Sequence, residues 1–521
     1  MSVPFSRTAA ISSQLSSSHN TGFRVWLIRS PFRATFVLSN LFDYHGHLHS
    51  KFNTYTLCVR EMYHYVNFGG TNTMKHWLKE PYQGYLRQHD MQADPELTEV
   101  GPATPGGEYL RRAWQPVALT EEVTDVPLLV KILGEELVLF RTTKGVFGLV
   151  EKHCAHRGAS LEYGVATDEG IRCCYHSWHF APDGTILETP NSPENTNYKK
   201  FCHGAYPVKE FKGIIFAYMG PPGDRPDFPL LDTYNDYHGE NSEMVPYSLH
   251  YPCNWLQIAE NTQDPIHSCF LHTSVSGTQF DDSWGVIPVL DWVKTPYGMM
   301  NVNVRRWNDN VWLRTTETIL PNYNQAGAFW ERPTHEKVFQ RIAMTRFFRP
   351  INDIETQVMG WRFFNDSVDP EKKGDPAAVG KDKMDAIGQL DDRERLMQQR
   401  EPGDYEAISS QGPIAIHERE TLVSSDRGIA MMRKLVRDGI RAASEGKEFP
   451  SLPREFSGVV PTFTQDSVVT RPPIDGVDDN KLIREYGKRY AQIVLESASK
   501  DPAERKTYLQ EQLNKLHIDD V

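Results

Sequence analysis

Cysteine is scarce in this chain, with seven in 521 residues. An odd, thinly spread set in a long chain does not make the disulfide framework of a small secreted domain, so the cysteines are expected to be cytoplasmic free thiols or metal ligands. Cys58, Cys202, Cys253 and Cys269 have no companion at ligand spacing and are read as inert. Clustered Lys and Arg are also missing. The 56 basic residues are outnumbered by 68 acidic ones, a formal charge of -12, which argues against a phosphate-neutralising, nucleic-acid-binding surface. Long apolar runs are absent too: VWLIRSPFRATFVLSNLF is broken by arginines and a proline and falls short of the ~20 apolar residues that span a bilayer, so no membrane partner is expected. No G-x-G-x-x-G follows a strand, which excludes a built-in flavin or nicotinamide domain. Acidic residues are absent before Asp43, while Arg7, Arg24, Arg29 and Arg33 alternate with serine and apolar residues. Residues 1–73 therefore read either as an organelle-targeting segment or as a leader upstream of a true start at Met74; the leader is favoured.

What is present is the composition of a soluble globular protein, 39% hydrophobic and 24% charged, long enough for two or three domains. Short strands begin near residue 107. LLVKILGEELVLFR reads as a hairpin about Gly134, GVFGLV as a further strand, and APDGTI as a hairpin at Asp183-Gly184. The Gly/Pro-rich stretch GPPGDRPDFPLLDTY marks a boundary. Beyond it, strands such as MMNVNVRRW mix with helices, one over 425–441 with Ile429, Met432, Val436 and Ile440 at helical spacing behind Ser425 and Asp426. Residues 366–383 read as a mobile, charged surface insertion. Near the end, Leu482, Tyr486, Tyr490 and Ile493 form a stripe expected to dock a domain or subunit, and Asp501-Pro502 starts a last helix.

The chemistry-bearing residues come in two groups. In the first, Cys154-x-His156 is answered, sixteen residues later, by Cys173-x-x-His176. Structural zinc sites usually pair like ligands, whereas here each loop contributes one thiolate and one imidazole. That alternation suits a two-iron cluster with cysteines on one iron and histidines on the other; the neutral imidazoles raise the potential to roughly −150 to +300 mV, from roughly −400 mV for all-thiolate clusters. The pattern resembles the Rieske [2Fe-2S] motif. Arg157 and Gly158 fit that family's loop, whereas Ser177 and His179 stand where related sequences more often carry Gly and Arg. His153 and His179 are outside the ligand spacing and read as surface or supporting groups, and Cys174 reads as buried and idle.

The second group lies in NWLQIAENTQDPIHSCFLH. His267 and His272 are five apart, ~140° around an ideal helix, so a straight helix would not aim both at one ion. Pro265 favours a break after Asp264 that would let them swing together. Two histidines and a carboxylate form the facial triad of non-haem iron. The stretch resembles the mononuclear-iron motif of Rieske non-haem iron oxygenases. By that resemblance EPGDYEAISSQGPIAIHERE supplies the third ligand as Asp404, with Glu401, Asp391 and Asp392 as further candidates. The resemblance further implies that Asp264 carries an electron to the iron from His176 of a neighbouring subunit, hence a homotrimer or a multiple of it. Asn254 and Asn261 would line or support the pocket.

From about residue 98 to 445 the chain is similar to oxygenase large (alpha) subunits of the phthalate dioxygenase type, including demethylases of lignin-derived biaryl acids, with LTEVGPATPGGEYLRRAWQPV and SQGPIAIHE carrying the closer match. This implies an α+β fold: an N-terminal all-β Rieske domain over 107–222, then a mixed antiparallel-sheet-plus-helices catalytic domain over 223–446, with a helical lead-in over 74–106 and a C-terminal helical extension over 447–521. It also implies an oxygenase component that uses O2 and electrons from a separate NAD(P)H-dependent reductase or ferredoxin to hydroxylate or O-demethylate an aromatic, carboxylated compound. Its cofactors would be a [2Fe-2S] cluster and mononuclear Fe(II). Arg305, Arg306 and Arg346 could meet a substrate carboxylate, although surface or structural ion pairs are the favoured reading for each. The alternatives are a Rieske electron carrier without oxygenase activity and a zinc-binding structural protein.

Overall fold

The computed structural model describes residues 23–30, 33–40, 54–55, 78–193, 197–234, 242–340, 342–456 and 458–516. The chain forms two compact units, Met1–Arg87 and Gln88–Val521. In the first, strands Phe23–Ser30, Arg33–Asn40 and Thr54–Tyr55 make an antiparallel sheet. The choice between targeting segment and leader, and Cys58, lie largely outside the described residues.

The second unit begins with small antiparallel sheets. Leu128–Ile132, Glu135–Arg141, Phe147–Glu151 and Ala205–Tyr206 form one; Gln115–Leu119, Ile214–Ala217 and Val208–Phe211 form another. The first hairpin turns through Leu133 and Gly134, both at positive φ (50° and 79°), the paired left-handed geometry that matches strand twist and that glycine relieves. A third sheet of two- and three-residue strands, Val165–Ala166, Ile171–Arg172, His179–Phe180 and Ile186–Glu188, carries the cysteine loops.

Beyond residue 242 lies a nine-stranded antiparallel sheet. Its central ladder pairs Gly298–Trp307 with Asn310–Ile319, in register from Gly298↔Ile319 to Trp307↔Asn310. Late in the chain, Gln465–Thr470 adds to this sheet against Asn310–Ile319. The following helix, Asp479–Glu496, buries Leu482, Tyr486, Tyr490 and Val494 against Val302, Val304 and Leu313 of the same sheet. The apolar stripe thus docks on the chain's own catalytic sheet, with Val494 fully buried at its end and the expected Ile493 partly buried beside it. The last helix, Pro502–Asn514, is capped by Asp501, which accepts from Glu504 N at 3.1 Å.

Residues 366–383 are largely exposed, as expected of a charged surface insertion, but are anchored near their start. Val368 and Asp369 are buried, and the Asp369 carboxylate accepts the backbone N–H of Lys373 and Gly374 at 2.9 and 2.8 Å, so the polar composition closes a turn. The helix expected over 425–441 runs Arg427–Ser444. At Gly428 a Cβ would fall 2.0 Å from the Trp292 indole nitrogen, so only glycine admits that ring. The indole N–H in turn donates to Gln263 O at 3.2 Å, one residue before Asp264. Packing on this helix thereby fixes the segment that presents the second group of candidate ligands.

Candidate metal centres

The two cysteine loops repeat one backbone pattern. Cys154 N donates to Ala159 O at 2.9 Å and Gly158 N to Cys154 O at 2.8 Å; in the second loop Cys173 N donates to Trp178 O at 2.9 Å and Ser177 N to Cys173 O at 3.1 Å. The equivalent fourth positions, Gly158 and Ser177, both adopt positive φ, 74° and 59°. Glycine is the natural residue there, and Ser177 holds a conformation that L side chains rarely take. Each loop closes tightly enough to bury its cysteine while leaving its histidine near the rim. Cys154 and Cys173 are buried in the core with Phe180 and Trp178. His156 and His176 meet with ring centroids 4.5 Å apart, and His156 stacks on Trp178 at 4.8 Å. Burial, reinforced by Cys173, pushes the Cys154 thiol up to about 11. Two thiolates side by side therefore need a bound cation, and a donor set of two buried sulfurs and two adjacent imidazoles fits an iron-sulfur cluster.

Cys174 is exposed, contrary to the expectation that it is buried: next to a ligand on a tight turn, its side chain is thrown outward. His179 is buried in a strand, with Nε2 2.8 Å from Thr167 Oγ1, and His153 Nδ1 lies 3.0 Å from Gly158 O.

The second group assembles from three segments. Helix Trp255–Asn261 begins at Asn254, whose Oδ1 accepts from Leu256 N at 3.1 Å and whose amide donates to Thr98 O and Asp353 O. Asn254 is thus a buried cap that supports the helix from outside the cavity. The helix ends before Pro265, as the sequence suggests, and a new turn starts at His267. The break is only part of the device that aligns the histidines. Phe270–Val275 is a π-helical turn, one residue wider than an α-turn, which brings residue 272 back toward the face of residue 267. Hydroxyls follow the same five-residue step, Thr273 Oγ1 donating to Ser268 O and Ser274 Oγ to Cys269 O.

Asp404, the first residue of helix Asp404–Ser409, completes the cluster. Its Oδ1 lies 3.5 Å from His267 Nε2 and 3.3 Å from His272 Nε2, and one atom from each of the three residues falls within 4.8 Å of the others. Asn261 Nδ2 joins them, 3.2 Å from Asp404 Oδ1 and 3.3 Å from His267 Nε2. The competing carboxylates are elsewhere: Asp391 accepts from Gln398, and Asp392 and Glu401 are exposed. Burial opposes charge on Asp404, but His272, then His267 and Gln389, outweigh it and hold the carboxyl well below the usual carboxylate range. His272 is raised, burial being overcome by Asp404 and Gln279. Two neutral-capable imidazoles and one ionised carboxylate around a point suit a divalent iron with open positions.

Two glutamines absent from the sequence expectations support the candidate ligands. Gln389 donates to Asp404 Oδ2 at 2.6 Å, and Gln279 Oε1 lies 2.7 Å from His272 Nδ1. Nothing in their spacing marks them. Asp264 is partly exposed; its Oδ1 accepts from Ile266 N at 3.0 Å, its Oδ2 lies 3.8 Å from His267 Nδ1, and its carbonyl contacts that same nitrogen.

A cavity of about 90 Å³ opens beside the three ligand candidates, walled by Phe280, Trp284 and Phe329 and by Arg305, Arg314 and Arg346. Arg306 forms the structural ion pair expected of it, 2.6 Å from Asp479. Arg305 and Arg346 do not: among the described residues neither has a carboxylate within ion-pair distance. Arg305 is 1% exposed, bonded to Val286 O and Asn303 Oδ1 and placed over the Trp284 and Trp312 rings. Arg346 donates to Asn324 Oδ1.

Comparison with known proteins agrees with this assembly. The Rieske [2Fe-2S] domain family matches residues 113–211. The chain is 39% identical over 462 residues to the oxygenase subunit of tert-butanol monooxygenase / tert-amyl alcohol desaturase of Aquincola tertiaricarbonis, covering 84% of this chain and 96% of that one. It is 36% identical to the phenoxybenzoate dioxygenase alpha subunit of Ectopseudomonas oleovorans, covering 68% and 86%. It is 30% identical to the 5,5'-dehydrodivanillate O-demethylase oxygenase subunit of a Sphingobium strain, covering 72% and 87%. These relatives are oxygenase subunits, which favours an oxygenase over a bare electron carrier and requires a separate reductase to supply electrons. The Rieske loops, the second centre and this kinship together make the chain a member of the Rieske non-haem iron oxygenases, an oxygenase component whose cofactors are a [2Fe-2S] cluster and mononuclear iron.

Proposed function

We propose that this oxygenase hydroxylates or O-demethylates a small aromatic acid held beside iron at His267, His272 and Asp404, with Cys154, His156, Cys173 and His176 holding the cluster. Bound iron would supply dioxygen activation and the cluster single-electron storage. The observation that carries the reading is the cavity: the converging ligand candidates open onto aromatic walls and onto Arg305, a buried cation that has no carboxylate within ion-pair distance among the described residues. A buried guanidinium is stabilised by an anion, and a substrate carboxylate would provide one. Arg346 is placed to share it. Phe280, Trp284 and Phe329 would stack on the ring and exclude water.

Asp264 would link His267 to His176 of a neighbouring subunit, in a homotrimer or a multiple of it. Its supports are the Asp264 contacts to His267 and the exposed apolar side chains at both sites, Phe270 and Val275 on the ligand turn and Tyr175 beside His176. Electrons would come from an NAD(P)H-dependent reductase or ferredoxin. The four cysteines outside the cluster loops or without a ligand role, Cys174, Cys202, Cys253 and Cys269, are unpaired by disulfides, which favours the cytoplasm.

A second reading is a compact tertiary alcohol. It is favoured by the relative whose name gives tert-butanol as its substrate. The test is product analysis with a surrogate reductase over single-ring aromatic acids, methoxybenzoates, biaryl acids and tert-butanol. Oxidation of a single-ring acid with matched O2 uptake supports the main reading. Turnover of the alcohol alone replaces it with the second, and turnover of none refutes both.

A further inference from the structure

We infer that Gln279 is a positioning residue for the iron: its amide sets the His272 ring and ties it to the loop that presents Asp404. This rests on the iron site proposed above and deepens it.

Donor and acceptor chemistry fixes which way the Gln279 amide faces. Gln279 Oε1 lies 2.7 Å from His272 Nδ1. The other end of the amide, Nε2, donates to Pro402 O at 3.3 Å. A main-chain carbonyl only accepts, so the amide nitrogen must face Pro402 and the amide oxygen must face the imidazole. An amide oxygen also only accepts. The His272 proton is therefore held on Nδ1, and the Nε2 lone pair is left to point at the ligand site, where Asp404 Oδ1 stands 3.3 Å away. One side chain thus selects the tautomer that can bind metal.

The backbone makes this contact rigid. Gln279 N donates to His272 O at 2.9 Å, and Gly277, at φ 72°, lets the chain double back on the π-turn. Pro402 O also accepts from Ser276 Oγ at 2.6 Å. Two side chains from the turn that carries His272 therefore grip a carbonyl two residues before Asp404. On His267 the Nδ1 atom faces the main-chain carbonyl of Asp264 nearby in sequence, and the amide that reaches this ring and Asp404, that of Asn261, lies at Nε2 instead. The two Nδ1 atoms are thus set by different devices: that of His267 by its own turn, that of His272 by a residue that also reaches the third ligand's loop. Loss of Gln279 is then expected to loosen two ligands together.

The test uses full-length holoenzyme carrying Gln279→Leu, which removes both ends of the link, and Gln279→Glu, which keeps an acceptor for His272 and loses the donor to Pro402. Fe(II) affinity is measured by chelator competition, and the geometry at the metal by electron paramagnetic resonance of the ferrous site with nitric oxide as probe. The Rieske absorption serves as the fold control. With the cluster intact, Gln279→Leu is expected to weaken Fe(II) binding by about 10–100-fold and to alter the nitrosyl signal. Gln279→Glu should weaken binding less and keep the wild-type signal. Wild-type affinity and signal in Gln279→Leu would overturn the inference, as would equal defects in the two variants. If the wild-type protein itself gives no nitrosyl signal and holds no iron beyond the cluster, the iron-site reading fails, and the inference with it.

Discussion

The candidate cluster ligands lie within residues 154–176, on two loops that share one backbone hydrogen-bond pattern; the candidate iron ligands spread over residues 267–404 and meet only through a chain break, a π-turn and the start of a distant helix. In the first centre each cysteine is fixed by bonds to residues four and five positions on, so sequence spacing alone nearly determines geometry. In the second, spacing is misleading. A five-residue interval on an α-helix separates the histidines, and only the wider turn, held by Thr273, Ser274 and Gln279, brings them together.

If the second centre depends on the first through Asp264, the largest effect should come from severing that link. Asp264→Asn is expected to drop steady-state turnover to background while both metal contents stay at wild-type levels, as read by metal analysis beside O2 uptake. Normal turnover would detach the two centres from each other.

A smaller effect is expected inside the second centre alone. Gln389→Leu removes the donor to Asp404 Oδ2 and should weaken Fe(II) binding by about 10–100-fold, with the Rieske absorption unchanged. Chelator competition reads it. A matching loss of cluster would show that the centres are not built independently.

The repeated loops of the first centre allow an exchange. Ser177→Gly should relieve a left-handed position and raise stability by about 1 kcal/mol, while Gly158→Ser should lower it by about as much. Thermal unfolding followed at the cluster absorption is the measurement. Opposite shifts would sharpen the equivalence of the loops, and shifts of the same sign would break it.

A last, mild effect belongs to the catalytic sheet. Glu317 is fully buried, accepting from Phe463 N at 2.8 Å, and burial pushes its carboxyl up to about 8. The folded chain then keeps a proton that the unfolded chain has released, so stability falls as pH rises from the ordinary glutamate value of 4.5 toward 8 and levels off beyond. Glu317→Gln should flatten that slope. Its gain in thermal midpoint should be largest near pH 8 and vanish near pH 4, with the cluster spectrum unaffected.

Legibility in the sequence follows the same division. The hairpin at Gly134 could be read because its turn chemistry is local, and the candidate cluster ligands because their spacing places them on two matching loops. Asp404 enters as a candidate by resemblance, since nothing within its own segment marks one carboxylate over Asp391, Asp392 or Glu401. Gln279 and Gln389 were invisible: a glutamine that orients a ligand looks like any other until the chain has folded. The stripe Leu482, Tyr486, Tyr490 and Ile493 is legible as a docking face, but not whether a domain or a subunit covers it, because apolar periodicity reports that a face is buried and not by what. The ion pair expected of Arg305 does not form within the described residues, because its partners are set by tertiary packing that spacing does not report.

The claim that one chain holds two separate metal centres is tested most directly by iron and acid-labile sulfide analysis of the wild-type protein beside His267→Ala/His272→Ala. The account predicts about three irons and about two sulfides per wild-type chain, falling to about two irons with sulfide and Rieske absorption unchanged in the variant. An iron count that does not move, or one that falls together with the sulfide, would contradict it.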